Sequence, residues 1–227
     1  DHPEIFLTQL RAMLRASLGL GNLRILLPMV TSVDELVSSK VLIARVIDEL
    51  KAEGLGVDTP EIGVMIEVPS AVYMANELAK EADFLSVGSN DLTQYVLAVD
   101  RTNPRVADMF DSFNPAVLRA LQQTSKAGQA AQIPVALCGE MAGDPMAAIL
   151  LVGLGFDELS MSASGLAKIK RVLAVFSRSE CQQLAQRATE EMSSGQEVMT
   201  MMANALLDKG QSLLVPPRWR HTDSVAT

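Results

Sequence analysis

The side chains with most to offer chemically follow short apolar runs. Glu67 lies near the end of IGVMIEVPS, a run otherwise apolar enough to be buried. An unpaired carboxylate there is costly, so it needs a cation, a hydrogen-bonding partner or a proton. A salt-bridged structural glutamate would also satisfy that need. Asp91 follows the next run in SVGSNDLTQY, where Gly88, Ser89 and Asn90 let the backbone turn sharply and present amides and side chains together. Read locally, Asp91 is equally an N-cap for a helix beginning near Leu92. Two carboxylates on consecutive strand ends suit Mg²⁺ or Mn²⁺, hard cations that take a few protein oxygens and fill their shell with water and phosphate.

Asn90 and Arg101, the latter in AVDRTNPR, supply a neutral donor and a positive charge beside that pair. The planar guanidinium donates two parallel hydrogen bonds to a phosphate or carboxylate; the alternative is a surface pairing with Asp100 or Asp108. Cys138 in LCGEMAGDP ends a fourth run, where a thiol can give or take a proton, although a packed, inert cysteine has the same signature. Cys181 falls on a helical period and reads as packing. Glu140 and Asp144 are caps or supporting groups. His2 and His221, near the ends, are not read as catalytic bases. No G-x-x-x-x-G-K-[ST] loop, G-x-S-x-G elbow or H-E-x-x-H helix is present.

Those residues need elements to hold them. Leu23–Met29, Ile62–Val68, Phe84–Val87, Pro134–Cys138 and Glu158–Met161 read as buried strands. Residues 5–17, 33–53, 70–81, 115–132 and 145–153 read as helices. Ser32, Ser70, Asn114 and Asp144 are the candidate N-caps, and Pro115 and Pro145 suit first helical positions. Strand alternating with helix predicts a parallel α/β sheet with right-handed crossovers. The strand starts lie 39, 22, 50 and 24 residues apart, averaging close to the roughly 30 or more of a strand-helix-strand unit. A closed (β/α)8 barrel needs eight strands and about 250 residues, and five strands are found. Residues 167–176, 179–192 and 196–209 read as a helical C-terminal extension. The division expected is a domain over 1–210 and a disordered tail over 211–227.

Composition narrows the function. Of 227 residues, 27 are acidic and 19 basic, giving a net charge of −8, which argues against a general nucleic-acid binder, since that needs a basic face to neutralise phosphates, but leaves room for a local basic pocket. Aromatic residues make up 4%, too few for base-stacking platforms. Apolar runs such as 147–155 are about half the ~20 residues of a membrane span. Two cysteines in this length are no disulfide framework and point to a reducing cytoplasm. Asp1-His2-Pro3-Glu4 has neither an initiator Met nor a signal-peptide pattern, so a piece of a longer polypeptide is expected.

LRILLPMV, IGVMIEVPSA, FLSVGSNDLTQYVLAVDRTN and VALCGEMAGDP, in that order, closely resemble the C-terminal barrel of enzyme I of the bacterial phosphotransferase system. The wider family includes pyruvate phosphate dikinase and phosphoenolpyruvate synthase. The resemblance covers about residues 3 to 205, and VPSAVYM, DRTNPRVADMFDSFNPAVLRAL and GEMAGDP resemble the nitrogen-related paralogue more than the sugar-transport form. It implies phosphoryl transfer from phosphoenolpyruvate to an enzyme histidine and on to a phosphocarrier protein. It also implies Glu67 and Asp91 as ligands of Mg²⁺ (or Mn²⁺), Asn90 and Arg101 as holders of phosphate and carboxylate, and Cys138 as the group exchanging a proton with the methylene carbon. A cytoplasmic homodimer is implied as well. The family's phosphorylated histidine and two further substrate arginines lie in regions without a counterpart here, so a truncated, catalytically incompetent barrel is expected. Two other readings stand beside this one: a barrel fragment of a dikinase or synthase, and a five-stranded doubly wound binding or signalling module.

Overall fold

The computed structural model describes residues 2–219. Five strands, β1 (Arg24–Leu27), β2 (Glu61–Ile66), β3 (Phe84–Gly88), β4 (Val135–Cys138) and β5 (Glu158–Ser160), form one sheet in the order β1-β2-β3-β4-β5, with every pair parallel. Each occupies a predicted run. The first stops short of Met29 because Pro28 has no N–H for a ladder and Met29 turns to φ 53°.

The strand order never reverses. Every crossover therefore steps the same way, and right-handed connections place their helices on one face. A doubly wound sheet needs a reversal, so the doubly wound alternative does not hold, and the sheet is an arc of a barrel. The helix layer follows the same sequence: α2 (Val33–Ala52) packs on α4 (Ala75–Glu81), and α4 on α6 (Pro115–Ala131). Outside them α1 (Pro3–Ala16) lies on α2, tied by Arg11 to Glu49 and Glu53 and by Arg15 to Glu53.

Two aspartates set the register at the lower edge. Asp83 donates its N–H to the Ile62 carbonyl and accepts the Ile62 N–H on its carboxylate at 2.7 Å. Asp157 does the same with Val135, at 2.9 Å for each bond. Each extends a ladder by one side-chain bond, so β2–β3 and β4–β5 cannot slip by a residue without losing two bonds.

Helix starts follow the predicted caps in three of four cases. Ser32 forms a capping box with Glu35, Asn114 accepts from Ala116, and Asp144 accepts from Met146 and Ala147. Ser70 is not a cap: the helix begins at Pro69, with Val68 at the cap position. The single helix expected over 70–81 is two, α3 (Pro69–Tyr73) and α4, separated at Met74. Gln123 of α6 donates to the Val72 carbonyl at 2.9 Å, beside the break.

The C-terminal helices are a second layer rather than an appendage. The helix α7 (Pro145–Leu154) is apolar on every side and buried, because α9 (Arg178–Glu190) lies across it, with α8 (Ala163–Leu173) and α10 (Gly195–Asp208) alongside. The expected tail differs from its description at its start. Residues 212–214 and 217–219 form 3-10 turns, and Val215 and Trp219 are buried against the core. Positions 220–227 of that tail lie outside the described residues.

Candidate functional site

The carboxyl ends of β2, β3 and β4 bring the predicted residues to one rim. Glu67, directly after β2, is 4% exposed. Its Oε1 accepts the Met29 N–H at 2.7 Å, a donor aimed by the left-handed turn at the end of β1. Burial pushes the Glu67 carboxyl above its ordinary range. The Met29 bond pulls it back, and the negative charge of Asp91 pushes it up again. Two carboxylates thus share a site from adjacent strands. Gly88, between them, must lack a side chain: a Cβ there would lie 2.7 Å from Glu67 Oε2.

Asp91 is no N-cap. The helix α5 (Ser89–Leu97) starts earlier than the sequence suggested, with Gly88 at the cap position, which places Asp91 in its first turn. Its carboxylate faces the Arg101 guanidinium at 4.0 Å, with both side chains about two-fifths exposed. Arg101 therefore pairs with neither Asp100, which accepts from Thr102, nor Asp108. Its backbone N–H donates to Gln94 Oε1 at 3.2 Å, holding the loop after α5 against the helix.

Cys138, the last residue of β4, is half-buried. Its thiol donates to the Val87 carbonyl at 3.4 Å and accepts from Ser86 Oγ at 3.9 Å. Asn90 Oδ1 accepts the Glu140 N–H at 3.4 Å, which joins the loops after β3 and β4. Glu140 opens the 3-10 turn Glu140–Gly143, and Asp144 caps α7 behind it. Cys181 is buried on α9, as packing requires. A cleft of about 680 Å³ opens beside the rim, between the 139–145 turn and the start of α8, with Asn90 and Glu140 on its wall. Glu67, Asp91, Arg101 and Cys138 do not line it. Among the described residues no group of three or more His, Cys, Asp or Glu converges, so Glu67 and Asp91 stand as a pair.

Sequence reasoning missed Met29, Ser86 and Ser89 as supports of the rim. Ser86 and Ser89 both lie inside the SVGSNDLTQY motif, but only Ser89 stands out locally, as a residue of the turn after the strand.

The model of the family described as PEP-utilising enzyme, PEP-binding domain, matches residues 1–178. The chain belongs to that family. Among relatives of this PEP-binding domain, a protein of Escherichia coli K12 named "Phosphoenolpyruvate-dependent phosphotransferase system" is 52% identical over 191 residues, covering 84% of this chain and 26% of that protein. The phosphoenolpyruvate-protein phosphotransferase of Staphylococcus carnosus is 43% identical over 203 residues, covering 89% and 35%. The chain thus spans about a quarter to a third of the length of these relatives. In fold it is similar to the crystal structure of a citrate lyase from Burkholderia xenovorans LB400, with a TM-score of 0.55 at 16% identity, over 93% of this chain and 71% of that one. No helix among the described residues is long and apolar enough to cross a membrane.

Proposed function

We propose that this chain forms part of the phosphoenolpyruvate site of a phosphoenolpyruvate-protein phosphotransferase, of the nitrogen-related branch. In this reaction the bond between phosphorus and the enol oxygen breaks, and phosphorus bonds to a histidine nitrogen elsewhere in the protein, from which it passes to a phosphocarrier protein. The enolate left behind takes a proton on its methylene carbon from the Cys138 thiol, giving pyruvate and a thiolate. Asn90 and Arg101 hold phosphate and carboxylate.

The observation that carries the reading is the buried Glu67 beside Asp91, two carboxylates whose charges oppose each other. A divalent oxygen-seeking ion removes that conflict, and the donor set fits Mg²⁺ or Mn²⁺, with water and substrate completing the shell. When bound, the ion supplies positive charge against the phosphoryl group in the transition state. The reading places the protein in the cytoplasm as a homodimer. Unpaired edges at β1 and β5 in this sheet favour self-association.

The test is a Mn²⁺ titration of the chain followed by water-proton relaxation. Glu67→Gln and Asp91→Asn should each weaken binding at least about tenfold, or ~1.4 kcal/mol. Equal affinities in wild type and both variants would refute the site.

A further inference from the structure

Ser89 opens α5 and is 1% exposed. Its hydroxyl donates at 2.9 Å to the carbonyl of Cys138, 49 residues away on the neighbouring strand. The β3–β4 backbone pairing ends at Gly88 and Cys138, so this bond continues the connection beyond the last paired residues. The Ser89 backbone is held in turn by Thr93, wholly buried, which donates its own hydroxyl to the Ser89 carbonyl at 2.7 Å.

The opposite loop is shaped to receive it. Gly139 has φ 107°, and a Cβ there would lie 2.4 Å from Ser89 Oγ and 3.3 Å from Asn90 Oδ1. One residue further out, Asn90 accepts the Glu140 N–H. Two bonds and one close approach therefore hold the loop that carries Asn90 and Asp91 against the loop that follows Cys138.

We propose that Ser89, seated against Gly139, is a positioning residue that fixes Cys138 relative to Asn90 and Asp91. This rests on the reading of those three residues given above. A thiol that protonates one end of a small substrate must keep its distance from the groups gripping the other end, and a misplacement of about 1 Å can cost on the order of 10²-fold in rate.

The test uses the metal-free chain and the rate at which an aromatic disulfide reagent labels each thiol. Cys181, 1% exposed on α9, reports loss of the fold, whereas Cys138 reports release of the clamp. Ser89→Ala removes about one hydrogen bond, so Cys138 should label roughly fivefold faster while Cys181 keeps its wild-type rate. Ser89→Thr, which retains the hydroxyl, should restore the wild-type rate at Cys138. Gly139→Ala should reproduce the selective acceleration from the other side. The proposal is overturned if Ser89→Ala leaves Cys138 unchanged, if both cysteines accelerate together, or if Ser89→Thr labels as fast as Ser89→Ala. Labelling without divalent ions gives the same answer whether or not Glu67 and Asp91 hold one, so the clamp and the metal reading fail separately.

Discussion

Replacing Arg101 by Gln should tighten, not weaken, the binding of a divalent cation in the absence of substrate. The guanidinium stands 4.0 Å from the Asp91 carboxylate, with 39% and 43% of the two side chains exposed. At that distance two unit charges attract by about 1 kcal/mol in water and about 4 kcal/mol at an effective dielectric of 20. Exposure, side-chain entropy and salt leave a pair like this with at most ~1 kcal/mol. A cation settling on Asp91 must displace that interaction, and ~1 kcal/mol corresponds to roughly fivefold in Kd. The Mn²⁺ titration should therefore show Arg101→Gln binding up to fivefold more tightly than wild type at low salt. The advantage should vanish near 1 M salt, where the screening length has fallen to about 3 Å. Phosphoenolpyruvate binding should move the opposite way, because the same arginine is then missing from the substrate. Weaker Mn²⁺ binding by Arg101→Gln at low salt would refute the reasoning, since it would make the arginine a support of the metal site rather than a competitor for Asp91.

Three further outcomes are expected. Glu67 has a raised pKa in the fold, so the stability it contributes is complete below its unfolded value and is lost as pH rises through the folded one. Metal-free Glu67→Gln should therefore gain on wild type in Tm as pH rises above the ordinary glutamate range near 4.5, and a difference independent of pH would contradict this. Asp144→Ala removes the cap that accepts the Met146 and Ala147 N–H groups. It should cost about 1 kcal/mol, or roughly 3 °C in Tm for a chain of this size, whereas an unchanged Tm would show that Pro145 alone suffices to start α7. The open edges of β1 and β5 predict self-association by light scattering at high protein concentration, against which a clean monomer would count.

What the sequence made legible is what short-range chemistry decides. The five strands stand where apolar runs of strand length end in turn residues, and Ser32, Asn114 and Asp144 cap the helices that follow them. Errors arise where a distant partner overrides a local preference. In SVGSNDLTQY three successive residues are good caps, and local reasoning leaves Asp91 equally a cap or a metal-site carboxylate. The hydroxyl of Ser89 is engaged by Cys138 instead, and the helix begins at Ser89. At the break by Met74, Gln123 bonds the Val72 carbonyl from 51 residues away, and residues 211–219 are received by the core that buries Val215 and Trp219. No window of sequence contains both partners of such contacts. The same holds at the site: types and spacing nominated Glu67 and Cys138, but Met29 and Ser86, which hold them, bear no mark of that work in their own neighbourhoods.

The rim divides into a part held by strand ends and a part carried on a loop, and the division follows the sheet. Glu67 and Cys138 leave β2 and β4, which flank β3, a strand buried along its whole length. Both are held by backbone bonds from neighbouring strand ends. Asp91 joins them through the first turn of α5. Arg101 instead comes from the exposed loop after α5, held there by one backbone bond to Gln94 and a long pairing with Asp91. Few buried contacts and exposed hydrogen bonds make a segment low in local stability. In this arrangement the sheet fixes the spacing of Glu67 and Cys138, whereas Arg101 reaches Asp91 from a loop. On the proposed reading a cation held by Asp91 would compete with Arg101 for that carboxylate and would leave the arginine available to an anionic substrate, so metal is expected to bind before phosphoenolpyruvate, and equal substrate affinity with and without metal would count against this.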